Sequence, residues 1–213
     1  MRRATVLMLA TGLVFSGGAR RAAAGEFGVS LEGGYFGMTN ASKSAKAIFG
    51  GTSGGFTGGG SIRYVVARSF FLGVGGHYFK RTGERVFLAD ATSTPFRLGH
   101  PLTVREVPVY GMVGWRFLPD SPLVPYLALG AGSTSYSEKS IVGGIEDPLG
   151  QKASKFSGHF MAGVEWGRGV VRLGAEFMYT TVPDTIGLDG VSKIYGEKDA
   201  GGLSFVGKIV LVP

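Results

Sequence analysis

From residue 26 onward, apolar residues alternate with small or polar ones in eight segments of about ten residues, a period of two that places successive side chains on opposite faces of a β-strand. Segment 26–38 sets Phe27, Val29, Leu31 and Tyr35 against Ser30 and Glu32, and segment 56–66 sets Phe56, Ile62 and Tyr64 against Thr57 and Arg63. In 70–81, Phe70, Leu72, Val74 and Tyr78 oppose His77; in 106–118, Val107, Val109, Val113, Trp115 and Phe117 oppose Glu106, Tyr110 and Arg116. Leu127, Leu129 and Ala131 oppose Ala128, Gly130 and Gly132 in 125–137, while Phe156, Phe160, Val164 and Trp166 oppose Ser157, His159 and Glu165 in 156–167. Leu173, Ala175, Phe177 and Tyr179 then face away from Arg172 and Glu176, and Leu203, Phe205, Ile209 and Leu211 away from Ser204 and Lys208.

The connections alternate as strictly as the faces. Long polar or glycine-rich stretches (39–55, 82–101, 138–155, 182–201) take turns with the short pieces "ARS", "PDSPLV" and "GRG". All long loops therefore emerge at one end, the layout of a transmembrane barrel with short periplasmic turns and long extracellular loops. A lipocalin-like soluble barrel has the same alternation but turns its apolar face inward. Aromatic placement favours the membrane form, because lipid-facing surfaces carry aromatic girdles at both interfaces. Tyr64, Phe70, Trp115, Phe117 and Trp166, with Phe27, gather toward the turn end of the apolar face; Tyr35, Tyr78 and Tyr179, with Phe56, Phe156 and Phe177, gather toward the loop end. The opposite face mixes Glu32, Arg63, His77, Glu106, Arg116, Glu165, Arg172, Glu176 and Lys208 with Gly, Ser and Ala, as a narrow lumen filled by side chains requires. Arg172 and Glu176, about 13 Å apart along one strand, must find partners on neighbouring strands, with Glu165 and Lys208 expected beside them.

The stretch "EVPVYGMVGWRFLPDSPLVPYLALGAG" (106–132) joins a strand, a proline-rich turn and a P-Y-x-x-x-G-x-G phrase. It resembles the eight-stranded outer-membrane β-barrel family, the OmpA/OmpX-like outer membrane protein β-barrel domain group of Gram-negative bacteria, and the likeness extends over residues 25–213. The resemblance implies an all-β, eight-stranded antiparallel up-and-down transmembrane β-barrel in the bacterial outer membrane. Its implied partners are outer-membrane lipids and lipopolysaccharide, and the barrel-assembly machinery during biogenesis. Family members end in an aromatic residue read by that machinery; this chain ends "KIVLVP", so its insertion signal is expected to be read differently.

Ahead of the strands, residues 1–24 combine Arg2 and Arg3, an apolar run from Ala4 to Phe15 and an A-x-A pattern at Ala22 and Ala24, which reads as a cleavable signal peptide. Removing it lowers the formal charge from +7 to +3, since the segment holds four arginines and no acid. A mildly basic chain with scattered charges gives no footing for nucleic-acid binding. The 38 glycines without a G-X-Y period exclude collagen, and the absence of cysteine excludes disulfides and thiolate metal sites.

Candidate chemistry is sparse. The chain carries no P-loop, G-x-S-x-G, H-E-x-x-H or EF-hand motif, and "GGTSGGFTGGG" (50–60) reads as a flexible loop entering a strand rather than a phosphate cradle. Ser157, His159 and Glu176 form a conceivable Ser-His-Glu set for a lipid A-modifying enzyme, yet their face is the lumen, where a histidine hydrogen-bonded within the interior is the more ordinary reading. Three scattered histidines make no metal motif, and no cofactor is expected. The long loops mix apolar residues with charges, as ligand-binding extracellular loops do and as partnerless solvated loops also do. The expectation is a non-catalytic barrel with a structural or surface-interaction role, a narrow conduit for small or hydrophobic solutes being the first alternative.

Overall fold

The computed structural model describes residues 25–142, 145–146 and 152–213; the expected signal peptide lies outside them. In chain order the elements are β1 (Glu26–Gly37), α1 (Ser42–Phe49), β2 (Gly54–Val65), β3 (Phe70–Phe87), β4 (Phe96–Arg116), β5 (Leu123–Val142), the two-residue β6 (Ile145–Glu146), β7 (Lys152–Trp166), β8 (Val171–Thr181), α2 (Gly190–Tyr195) and β9 (Gly202–Leu211). Apart from β6, which pairs only with the end of β5, each strand lies antiparallel to the next. β9 then pairs with β1 from Leu203↔Gly37 to Leu211↔Val29, closing the ring. Closure pairs every wall strand on both sides, the condition for crossing hydrocarbon without orphaned backbone groups.

The barrel is inside-out relative to a soluble one. At mid-height Leu31 is 69% exposed, Val109 62%, Leu129 61% and Phe205 64%, whereas Arg116, Glu106 and Glu165 are at most 2% exposed. A water-soluble barrel would reverse both sets. Large residues fit the lumen because glycines on adjacent strands make room: a Cβ at Gly163 would stand 2.4 Å from the Tyr126 ring, and one at Gly75 would stand 2.9 Å from Tyr110. The tight β7–β8 turn needs Gly167 and Gly169, whose φ values of 130° and 129° disfavour any side chain.

Two of the four expected loops are largely strand. β3 and β4 stay paired out to Phe87↔Phe96, and β5 stays paired with β4 out to Leu102↔Ser140, so β3, β4 and β5 stand as a wall above the rest of the barrel. Period-two patterning fails there because the wall no longer separates lipid from lumen; a bulge at Glu84–Val86 also shifts the facing. In the other two long connections the chain forms α1 and α2, which pack against the inner side of the wall. The α1 contact is close enough that a Cβ at Gly83 would lie 2.3 Å from the Ile48 carbonyl oxygen. Phe36, Met38, Ala45, Ile48, Phe49, Phe79, Val104, Tyr136 and Ile186 make a buried apolar core here, separate from the lumen core around Phe71, Tyr110, Tyr126, Met161 and Met178. The stretch 50–60 is loop only to Ser53, and its glycines from Gly54 on belong to β2.

Candidate functional site

Two sites emerge, a charged lumen and the cap above it. Near the turn end, Arg63 on β2 makes a bidentate pair with Glu165 on β7, a strand diametrically opposite in the ring. Glu26 receives Arg116 at 2.7 Å and Arg172 at 2.8 Å. Higher up, Lys208 lies 2.9 Å from Glu176 and 3.1 Å from Glu32, His77 Nε2 lies 2.8 Å from Glu32 Oε2, and the Tyr126 hydroxyl donates to Glu176 at 2.5 Å. Ser30 and Ser61 hydroxyls also donate to Glu32.

The structure thus brings together eight of the nine sequence-predicted lumen charges and sets Glu106 apart. Glu106 is fully buried, its Oε2 has no hydrogen-bond partner, and beside it lies a cavity of about 10 Å³ lined in part by Thr57, His77 and Thr180. Arg172 does not meet Glu165, as the sequence suggested, but Glu26, which was missing from the predicted network. Glu26 shares the even-numbered face of Ser30 and Glu32, so the alternation itself carried the signal. The conceivable Ser-His-Glu set does not assemble: His159 Nε2 lies 3.0 Å from Ser157 Oγ, but Nδ1 faces Thr180 Oγ1 at 3.1 Å, while Glu176 is held by Lys208 and Tyr126. Among the described residues no group of three or more His, Cys, Asp or Glu could hold a metal ion.

The predicted interface aromatics all lie on the outer face. Phe70 pairs across strands with Trp115, Tyr64 with Phe27, and Trp166 with Leu173, with Phe117 just past β4; these form the turn-end group. At the loop end Tyr35 pairs with Phe56, Tyr179 sits opposite Phe160, and Tyr78 lies beneath the Arg105 guanidinium at 5.1 Å. Phe70 and Tyr78 are about 26 Å apart along β3, the scale of a lipid-facing band once strand tilt is allowed for.

Above that level the cap is tied down by charge. Glu197 accepts the backbone N–H groups of Lys43 and Ser44 at 2.9 Å each, plus the Ser44 hydroxyl, so a residue beyond α2 caps the N-terminus of α1. Asp199 accepts the Thr181 hydroxyl and the Val182 and Gly201 N–H groups, fixing the return into β9. At the β3–β4 tip, Thr92 donates through its N–H and hydroxyl to Asp90, which holds that carboxyl down at about 2. Between α1, α2 and the β3–β5 wall lies a cavity of about 240 Å³ with Glu138 in its lining. Burial raises the Glu138 carboxyl above the usual range, against the lowering effect of the Tyr136 hydroxyl that donates to it. Sequence reasoning missed this cavity, since no helix was expected in either loop.

No family model and no curated protein matches the chain. Among solved structures it is similar to Neisserial surface protein A, with a TM-score of 0.52 and 14% identity over 87% of this chain and 96% of that one. The chain has the fold of an eight-stranded outer-membrane β-barrel. Two further barrels superpose less closely: Ail, the attachment invasion locus protein of Yersinia pestis, in complex with the heparin analogue sucrose octasulfate (TM-score 0.49, 15% identity, 88% and 97% covered), and the N-terminal β-barrel domain of Pseudomonas aeruginosa OprF (0.47, 12%, 89% and 99%). In an outer-membrane barrel the exposed apolar band is the lipid face and the charged interior is the lumen.

Proposed function

We propose that this barrel resides in the bacterial outer membrane with its helical cap outward, and acts through the cap as a non-catalytic surface-interaction protein. The observation that carries this reading is the division of the molecule: a lumen packed with side chains beneath a separately cored, hydrogen-bonded cap that holds a cavity. Packing by Arg116, Phe71 and Met161, all at most 2% exposed, weighs against a conduit. The Thr180 contact of His159 weighs against the lipid A-modifying alternative. Residues 1–24 direct export and are then removed, and the outward aromatics mark the two lipid interfaces.

Lipopolysaccharide is the expected lipid partner at the cap end. Lys80 and Arg105 are direct cross-strand neighbours, Arg105 and Lys152 both pair with Ser137, and the three cations stand on the outer face one step above Tyr78. Like charges directly opposite one another are unfavourable, and phosphates at the membrane surface would offset the cost.

Because the natural chain has no cysteine, single cysteines report topology cleanly. Ser93→Cys at the β3–β4 tip should react with a membrane-impermeant maleimide on intact cells, and Ser121→Cys in a short turn only after permeabilisation. Equal or reversed labelling would refute the orientation, and stepwise conductance of the purified barrel in planar bilayers would refute the closed lumen.

A further inference from the structure

Every polar side chain that lines the cap cavity is already engaged. The Ser44 hydroxyl donates to Glu197, the Ser140 hydroxyl to the Pro101 carbonyl, the Ser192 hydroxyl to the Asp189 carbonyl and the Tyr136 hydroxyl to Glu138. Arg85 and Asp189, the other charged groups of the lining, each have a partner as well. Among the described residues, the buried side-chain atoms left without a hydrogen bond sit on Glu32, Arg63, His77, Glu106, Arg116, Thr134 and Arg172, and none of these lines the cavity. Burial also pushes the Glu138 carboxyl upward, toward its neutral form. What remains is apolar wall: Met38 ahead of α1, Ala45 and Ile48 of α1, Val86 of β3, Val104 of β4 and Ile186 before α2, all at most 8% exposed. Protein interiors leave few voids larger than a water molecule, yet this one measures about 240 Å³. An ordered water needs about two to four polar partners, which groups already committed to one another supply poorly, and apolar cavities of about 150 Å³ stay dry and take up benzene.

We propose that this cavity binds a small uncharged apolar molecule, a single ring or a short branched chain in size, held against Ala45, Ile48, Val104 and Ile186 by burial of its surface. A ligand charge of either sign would leave water without a free counter-charge to meet it. The ligand class rests on the reading of the capped end as the interaction end, and binding by purified protein does not depend on which way the barrel faces in cells. Surface labelling can therefore fail while binding succeeds, and the reverse.

The test uses the full refolded barrel in lipid nanodiscs, with folding checked by heat-modifiable gel migration, and toluene, benzylamine and benzoate as probes that share one ring. Because toluene also dissolves in lipid, methyl NMR is read at two places: Ala45, Ile48 and Val104 in the cap, and Val109 and Leu129 on the lipid face. With toluene the cap methyls should shift and saturate while the lipid-face methyls drift linearly, and the amine and the carboxylate should bind the cap at least tenfold more weakly. Ala45→Phe fills the cavity from the helix side and Val104→Phe from the wall side. Either variant that keeps residues 42–49 protected from limited proteolysis should lose the saturable toluene shifts, and the comparison of probes on the natural protein stands whether or not the variants fold. No saturation in the natural protein, a charged probe that binds as tightly as toluene, or undiminished saturation in a protected variant would overturn the proposal.

Discussion

Glu165→Gln tests whether the lumen is held together by paired charge. Glu165 is 2% exposed and takes both terminal nitrogens of Arg63, itself 7% exposed, across the diameter of the barrel. No nearby acid can substitute, because Glu26 already holds Arg116 and Arg172. Removing one partner of a buried pair costs about 3–5 kcal/mol, most of it the penalty of the charge left behind. With a denaturant slope on the order of 2 kcal/mol/M, the urea midpoint should fall by about 2 M. Replacing both, Arg63→Met with Glu165→Leu, removes the stranded charge and should recover most of that loss, since apolar substitutes for a buried ion pair are often neutral or stabilising. The assay is urea unfolding in lipid vesicles followed by tryptophan fluorescence and gel mobility. Single variants that each cost under about 1 kcal/mol and add in the double would show that the pair is incidental to stability.

Three further outcomes follow from the cap and its surroundings. Gly83→Ala drives a methyl into the Ile48 carbonyl, so limited proteolysis should cut within residues 42–49 while the barrel keeps its heat-modifiable migration; protection equal to the natural protein would refute the close α1 packing. Lys80→Glu turns the like-charged pair with Arg105 into an opposite one, which should raise stability by about 0.2–1 kcal/mol in zwitterionic detergent yet reduce co-purified lipopolysaccharide; unchanged lipopolysaccharide would remove the phosphate assignment. Asp90, lowered from the usual 3.8 to about 2 by Thr92, supports its loop fully above about pH 4 and loses that support as pH falls toward about 2. An NMR titration of the Thr92 amide with its midpoint near 4 would contradict the Asp90–Thr92 contact.

How much was legible in the sequence depends on what each face meets. Where one face meets lipid and the other the lumen, strand identity, facing and the turn ends could be read residue by residue, as Leu173 and Phe177 against Arg172 and Glu176 show. The same parity rule covered Glu26, although a charge at the first residue of a strand is easily assigned to solvent. Pairing was another matter. Arg63 and Glu165 lie 102 residues apart on opposite sides of the ring, and which cation crosses to which acid depends on shear and side-chain reach, neither of which alternation encodes. The cap was illegible for a third reason: "SKSAKAIF" is too short to announce a helix by periodicity, and it is held by Glu197, 153 residues beyond Ser44.

That remote cap bears on how the two halves of the molecule relate. α1 and α2 are each too short to persist alone in water, so their order derives from the β3–β5 wall and from Glu197, and the wall in turn stands on the closed barrel. Below the cap, Glu106 lies between the two regions, its Oε2 without a partner, directly across from Tyr136 on β5, whose hydroxyl is committed to Glu138. Tyr136→Phe tests how far the two are separable: it removes the hydroxyl from Glu138 while keeping the ring in the apolar core of the cap. It should leave barrel unfolding near its natural urea midpoint, whereas a large loss of barrel stability would mean that cap and lumen form one cooperative unit.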